Sequence, residues 1–133
     1  MNPLYPDVAE RAGERCEYCR APEQVFNFAF DVEHIQPRAA GGDSAEDNLA
    51  LACASCNLYK SDTTTGQDDA TGQTHPLFHP RRDRWEDHFR FHSHTGRIEG
   101  VSPVGRATVA RLRLNSDFQQ RARRHWARLG LYP

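Results

Sequence analysis

The sequence contains no run of 18 apolar residues, which excludes an α-helix that crosses a membrane. Its first stretch, MNPLYPDVAERAGER, lacks the apolar segment of a secretory leader, so the expectation is a cytoplasmic protein with no membrane partner. There is no glycine loop to cradle a nucleotide phosphate, no internal repeat and no nucleophile elbow. Lysine is almost missing: Lys60 stands alone beside sixteen arginines. Apolar residues are also scarce, at 38% of 133 positions, although 26% charged residues is not the composition of a disordered chain. The length suits one domain, residues 1–133, whose modest core would gain from an added staple.

What the sequence does have begins with four cysteines, in two C-x-x-C pairs: Cys16 with Cys19, and Cys53 with Cys56. A gap of two residues lets two thiolates face one ion, and two such pairs complete a tetrahedral four-sulfur shell around Zn²⁺. Two disulfides, in any of three connectivities, are the other reading, and they need an oxidising compartment that no leader sequence supports. Zinc would also be the staple, because its binding free energy becomes folding free energy. Its closed shell leaves no position for substrate, so its expected role is structural.

The 33 residues between the pairs exceed the spacing of a zinc ribbon, so another structure must be inserted there. Phe26, Phe28 and Phe30 alternate and are followed by Val32 and Ile35, which predicts a strand. Pro37 and Gly41–Gly42 end it in a loop, and Leu49 to Ala52 predicts a second strand. From Ala54, ASCNLYKSD suits a helix with Asn57, Lys60 and Ser61 on one face.

This order of strand, long loop, strand and helix carries V-E-H-I-Q-P-R-A-A-G-G, D-N-L-A-L-A-C-A-S-C and N-L-Y-K. With the cysteine pairs, the stretch from Cys16 to Asp62 resembles the HNH endonuclease family. The resemblance implies a ββα-metal core and a role for each polar residue. His34 would be the general base that takes a proton from water, work suited to a neutral imidazole. Glu33 and Asn57 would be oxygen ligands of one catalytic Mg²⁺ or Mn²⁺ ion, which would polarise the scissile phosphate. Asn48 would hold the loop and orient His34, and Arg38 and Lys60 would contact phosphate. Glu33 stands where many members carry Asp, and Asn57 where the family's last His often sits.

The remaining residues differ in charge. Residues 1–75 hold five basic against thirteen acidic side chains, and residues 76–133 hold twelve against five. Residues 63–80 read as loop. Thr95–Gly96 fits a hairpin turn, Ser102–Pro103 opens a helix near Gly105–Leu112, and Asn115 or Ser116 caps a last helix ending before Gly130. In that helix Phe118, Ala122, Trp126 and Leu129 form an apolar stripe expected to face the core. Arg121, Arg124 and Arg128 form a second face, either a solvated surface or a grip on a nucleic-acid backbone.

The expected fold class is therefore α+β: a small ββα-metal core (16–62) framed by the four-cysteine zinc site, with a C-terminal hairpin and helices in a basic extension (76–133). The expected function is a metal-dependent endonuclease that hydrolyses DNA phosphodiester bonds, with RNA as the other substrate the motif admits. It would act as a monomer or a homodimer, since one such site cuts one strand. The alternative is an inactive, zinc-stabilised nucleic-acid-binding module.

Overall fold

Two four-residue strands organise the first half of the chain. Strand β1 (Asp31–His34) pairs antiparallel with β2 (Leu49–Ala52), with Glu33 opposite Ala50 and His34 opposite Leu49. All four residues of β2, Leu-Ala-Leu-Ala, are buried, so this strand is the centre of the layer. Its free edge is not left open. The backbone N–H of Glu17 donates to the Leu51 carbonyl at 2.8 Å, and the Leu51 N–H donates to Glu17 Oε2 at 2.8 Å. A computed structural model describes residues 2–133, which divide into two compact units, one ending at Thr64 and one beginning at Thr65.

In the first unit, helix α1 (Tyr5–Arg11) has Pro6 in its first turn and buries Val8 and Ala9. Arg11 donates to the carbonyls of Glu46 at 2.7 Å and Leu49 at 2.5 Å, which fastens α1 to the segment entering β2. Helix α2 (Ala54–Lys60) follows β2 directly, capped by Cys53, whose sulfur accepts from the Cys56 N–H. The second strand and this helix agree with the sequence reading, but the first strand does not start among the phenylalanines. Phe26 meets Phe28 and Phe30 edge-on, with ring centroids 5.8 and 4.9 Å apart. Glu23 Oε2 takes the Phe30 N–H at 2.7 Å. The alternation there builds an aromatic cluster in irregular backbone, not a ladder.

The second unit corrects the loop expected over residues 63–80. Strands β3 (Thr65–Gln67) and β4 (Thr74–Pro76) form a hairpin. Polar residues make a strand here because the turn is built from within. Buried Asp68 accepts from the Ala70 N–H and the Thr71 hydroxyl, and Arg106 Nε and Nη2 reach its two oxygens at 2.9 and 3.1 Å. A short helix α3 (Trp85–His88) leads into a second hairpin, β5 (Phe89–His92) and β6 (Arg97–Gly100), with Thr95–Gly96 in its turn as expected. Helix α4 (Pro103–Leu112) is capped by Ser102, and α5 (Asp117–Arg128) by Ser116. The core of this unit includes Leu77, Phe78, Trp85, Phe89, Ile98 and Leu112.

The apolar stripe expected on α5 is also corrected. Phe118 is 78% exposed and Leu129 71%, while the fully buried residue of the helix is Arg123. Its guanidinium donates to the Gly96 and Leu114 carbonyls and to Asn115 Oδ1. Backbone acceptors left over at a hairpin turn and a helix end thus claim a charged residue that hydrophobic periodicity alone would place outside.

Asp68 supports a first prediction. The Arg106 guanidinium holds its carboxyl well below the usual carboxylate range, at about 2. A depressed carboxyl contributes stability above its unfolded value of about 3.9, and that stability is lost as pH falls through the folded value. Asp68→Asn should therefore destabilise the protein near neutral pH, and the gap from wild type should close between about pH 4 and pH 2. Denaturant melts at a series of pH values measure this, and a gap that does not change with pH would refute it.

Candidate metal centre and active site

The four cysteine sulfurs meet in one place. All lie within 4.8 Å of one another, all four residues are buried, and Cys19 Sγ is 3.7 Å from Cys53 Sγ. A disulfide needs about 2.05 Å, whereas a ZnS₄ tetrahedron with Zn–S near 2.3 Å has sulfur–sulfur edges of about 3.8 Å. Each pair also directs a backbone N–H at its first sulfur, from Cys19 to Cys16 and from Cys56 to Cys53, both at 3.5 Å. Hydrogen bonds from the other three cysteines pull the Cys53 thiol pKa down, and the thiols of Cys19 and Cys56 are pushed up. Four sulfurs enclosed together hold negative charge poorly without a cation, so the site fits a divalent thiophilic metal such as Zn²⁺.

The second cysteine pair sits where β2 turns into α2, and this fixes the face α2 turns to β1. Residues 31 and 33 share one side of the strand, and residues 57 and 60 are one helical turn apart. Asn57 Nδ2 donates to Asp31 Oδ2 at 3.2 Å, and the Lys60 ammonium pairs with Glu33 Oε1. Lys60 is only 2% exposed, and its remaining donors reach the carbonyls of His34 at 3.3 Å and Ile35 at 2.9 Å. The other oxygen of Glu33 accepts from the Tyr18 hydroxyl at 2.8 Å. Burial pushes the Glu33 carboxyl pKa up, against the pull of Lys60 and Tyr18, and burial followed by the Glu33 charge pushes Tyr18 well up.

His34, at the end of β1, has the other strand parity and turns to the loop. Its Nε2 lies 3.0 Å from Ser44 Oγ and 3.4 Å from Arg38 Nε, and Arg38 Nη2 donates to the same Ser44 oxygen at 3.2 Å. A guanidinium only donates, so Nε2 is the acceptor nitrogen and the ring proton belongs on Nδ1. Burial, followed by the Arg38 charge, lowers the His34 pKa and keeps the ring neutral at neutral pH. Asn48 grips the far side of the loop. Its Oδ1 accepts from the Gln36 N–H at 2.8 Å, and its Nδ2 donates to the Gln36 and Asp43 carbonyls at 3.0 and 2.7 Å. Gly42 packs so tightly that a Cβ there would lie 1.8 Å from the Gln36 carbonyl oxygen, so the second glycine of the pair has no room for a side chain.

Among the expected residues, Glu33, His34, Arg38 and Asn57 line one pocket of about 260 Å³, together with Ser61 and Asp62. Asn48 shapes the loop instead of lining that pocket, and its own carbonyl accepts from the Ile35 N–H at 2.9 Å. The phosphate contact expected of Lys60 is corrected: its ammonium is enclosed by three acceptors. On α5, Arg121 and Arg128 are exposed, while Arg124 Nη1 donates to the Thr95 carbonyl at 2.9 Å. The sequence reading missed Asp31, Ser44 and Tyr18. Asp31 was legible in principle, two residues before Glu33 on the same strand face, whereas Ser44 and Tyr18 are brought in by the loop and the knuckle.

Residues 16–63 match the family model described as HNH endonuclease. No curated protein and no solved structure matches the chain. Among the described residues no helix is long and apolar enough to cross a membrane.

Proposed function

We propose that this chain, whose residues 16–63 match the HNH endonuclease family model, is a metal-dependent endonuclease that hydrolyses phosphodiester bonds in DNA. One observation carries the reading: a neutral imidazole with its acceptor nitrogen placed by Arg38 and Ser44 shares a pocket with the Asn57 amide and the Glu33 carboxylate. In the reaction the Arg38 guanidinium leaves both His34 Nε2 and Ser44 to meet the phosphate, and the lone pair this frees on Nε2 takes a proton from the attacking water. The oxygen donors at hand for a catalytic ion are Asn57 and Asp31, a set that suits Mg²⁺ or Mn²⁺ better than a soft metal, whereas Glu33, the other ligand expected from the sequence, has its two oxygens engaged by Tyr18 and Lys60. When bound, such an ion supplies charge stabilisation for the phosphate and the departing oxygen. The two units are read as one nuclease domain, residues 1–133, acting in the cytoplasm as a monomer or homodimer.

The test is incubation of purified protein with supercoiled plasmid in Mg²⁺ or Mn²⁺, with an EDTA control and an RNA substrate in parallel. Nicking that EDTA abolishes is expected. Retention of DNA with no nicking in any metal would sink the reading and favour the binding module.

The charge division supports the choice of substrate. Residues up to 64 carry five basic against eleven acidic side chains, and residues from 65 on carry twelve against seven. Arg121 and Arg128 project from α5 as phosphate contacts. Replacing both with Gln should weaken DNA binding and flatten the salt dependence of log K by about 0.9 for each lost contact. Fluorescence anisotropy over a salt series reads this, and an unchanged slope would remove α5 from the interface.

A further inference from the structure

We propose that Tyr18, Glu33 and Lys60 form a buried positioning network that ties the first zinc knuckle to the backbone carrying His34. The inference rests on reading His34 as the base. Tyr18 lies between Cys16 and Cys19 and is fully buried, so its ring is held by the same loop that holds the metal ligands. Its hydroxyl donates to Glu33 Oε2 at 2.8 Å, and Lys60 meets Glu33 Oε1. The remaining two hydrogens of the ammonium go to the carbonyls of His34 and Ile35, the residues where β1 ends. The ammonium therefore has one charge partner and two carbonyl acceptors, and no charge is left alone.

A buried ion pair adds little to stability compared with well-packed apolar residues, because desolvation offsets the attraction. Its worth lies in geometry. An ammonium ion-paired to Glu33 and donating to two carbonyls restrains the turn out of β1, and the carbonyls it holds position the peptide from which the imidazole projects. The network joins three segments far apart in sequence: the knuckle at 18, the strand at 33–35 and the helix at 60. The helix also bears Cys56, so both cysteine pairs reach His34 through rigid elements. Glu33 and Lys60 thus act as positioning residues, and Tyr18 couples the metal site to them.

Tyr18→Phe tests this with little change in volume, away from the pocket. The variant should bind one zinc and melt close to wild type, while kcat for nicking falls about tenfold at unchanged KM for DNA. In ¹⁵N–¹H spectra the amide signals of His34 and Ile35 should shift. A second comparison covers the charge pair. Lys60→Met alone strands a buried carboxylate and should destabilise, and adding Glu33→Gln should restore the melting temperature without restoring nicking, because the His34 and Ile35 carbonyls still lack their donor. Wild-type kcat with unmoved His34 and Ile35 signals in Tyr18→Phe would overturn the inference, as would loss of zinc from that variant or full activity in the double variant. If the wild-type protein does not nick at all, the nuclease reading fails, and the amide shifts still decide the network.

Discussion

Plasmid nicking should fall by about 10²- to 10⁴-fold in His34→Ala, with zinc content and melting temperature close to wild type. The range is what one positioned proton acceptor contributes to hydrolysis, and the structure makes His34 well suited to the part. Its ring is neutral at neutral pH, its acceptor nitrogen is defined by a partner that can only donate, and it is partly open to the pocket. The side chain stands at a strand end outside the buried core, so its loss leaves little cavity. DNA binding measured in EDTA should be nearly unchanged, which separates loss of chemistry from loss of grip. Equal nicking by the variant and the wild type would remove His34 from the mechanism.

The second large effect concerns the four-cysteine site. Elemental analysis should find about one zinc per chain, and its removal by a strong chelator, or Cys53→Ser, should unfold the first unit. Apparent zinc-binding energies of about 10–16 kcal/mol are as large as the whole stability of an ordinary domain, about 5–15 kcal/mol. The unit ending at Thr64 has little else to replace it. Its sheet has two strands of four residues, and its helices α1 and α2 have seven residues each. Circular dichroism before and after chelation measures the effect. Purified protein without zinc, or a melt that chelation leaves unmoved, would refute the metal reading of the cysteines.

The parts of the site legible in the sequence were those whose spacing is itself the chemistry. Two residues between cysteines, and two such pairs, imply four sulfurs around one ion, and the sulfurs do meet. Strand β2 and helix α2 were equally plain, because one is fully apolar and the other opens directly from a C-x-x-C cap. The phenylalanine alternation misled because Glu23 competes for the strand's backbone. The hairpin at residues 65–76 was invisible because its stability comes from Asp68 and Arg106, which are 38 residues apart.

Lys60 draws the line most clearly. The sequence by itself determined that one lysine would sit one helical turn beyond Asn57, on the same face of a helix that begins at the metal site. Only the tertiary structure decided which way that face turns: toward β1, where an acid waits two residues along the strand from the partner of Asn57. Positions i and i+2 of a strand lie about 6.6 Å apart and positions i and i+3 of a helix about 4.5 Å apart along its axis, a difference that the long Lys60 side chain spans. Local periodicity defines the faces, but only packing pairs them, and that pairing makes the lysine a clamp on the His34 backbone.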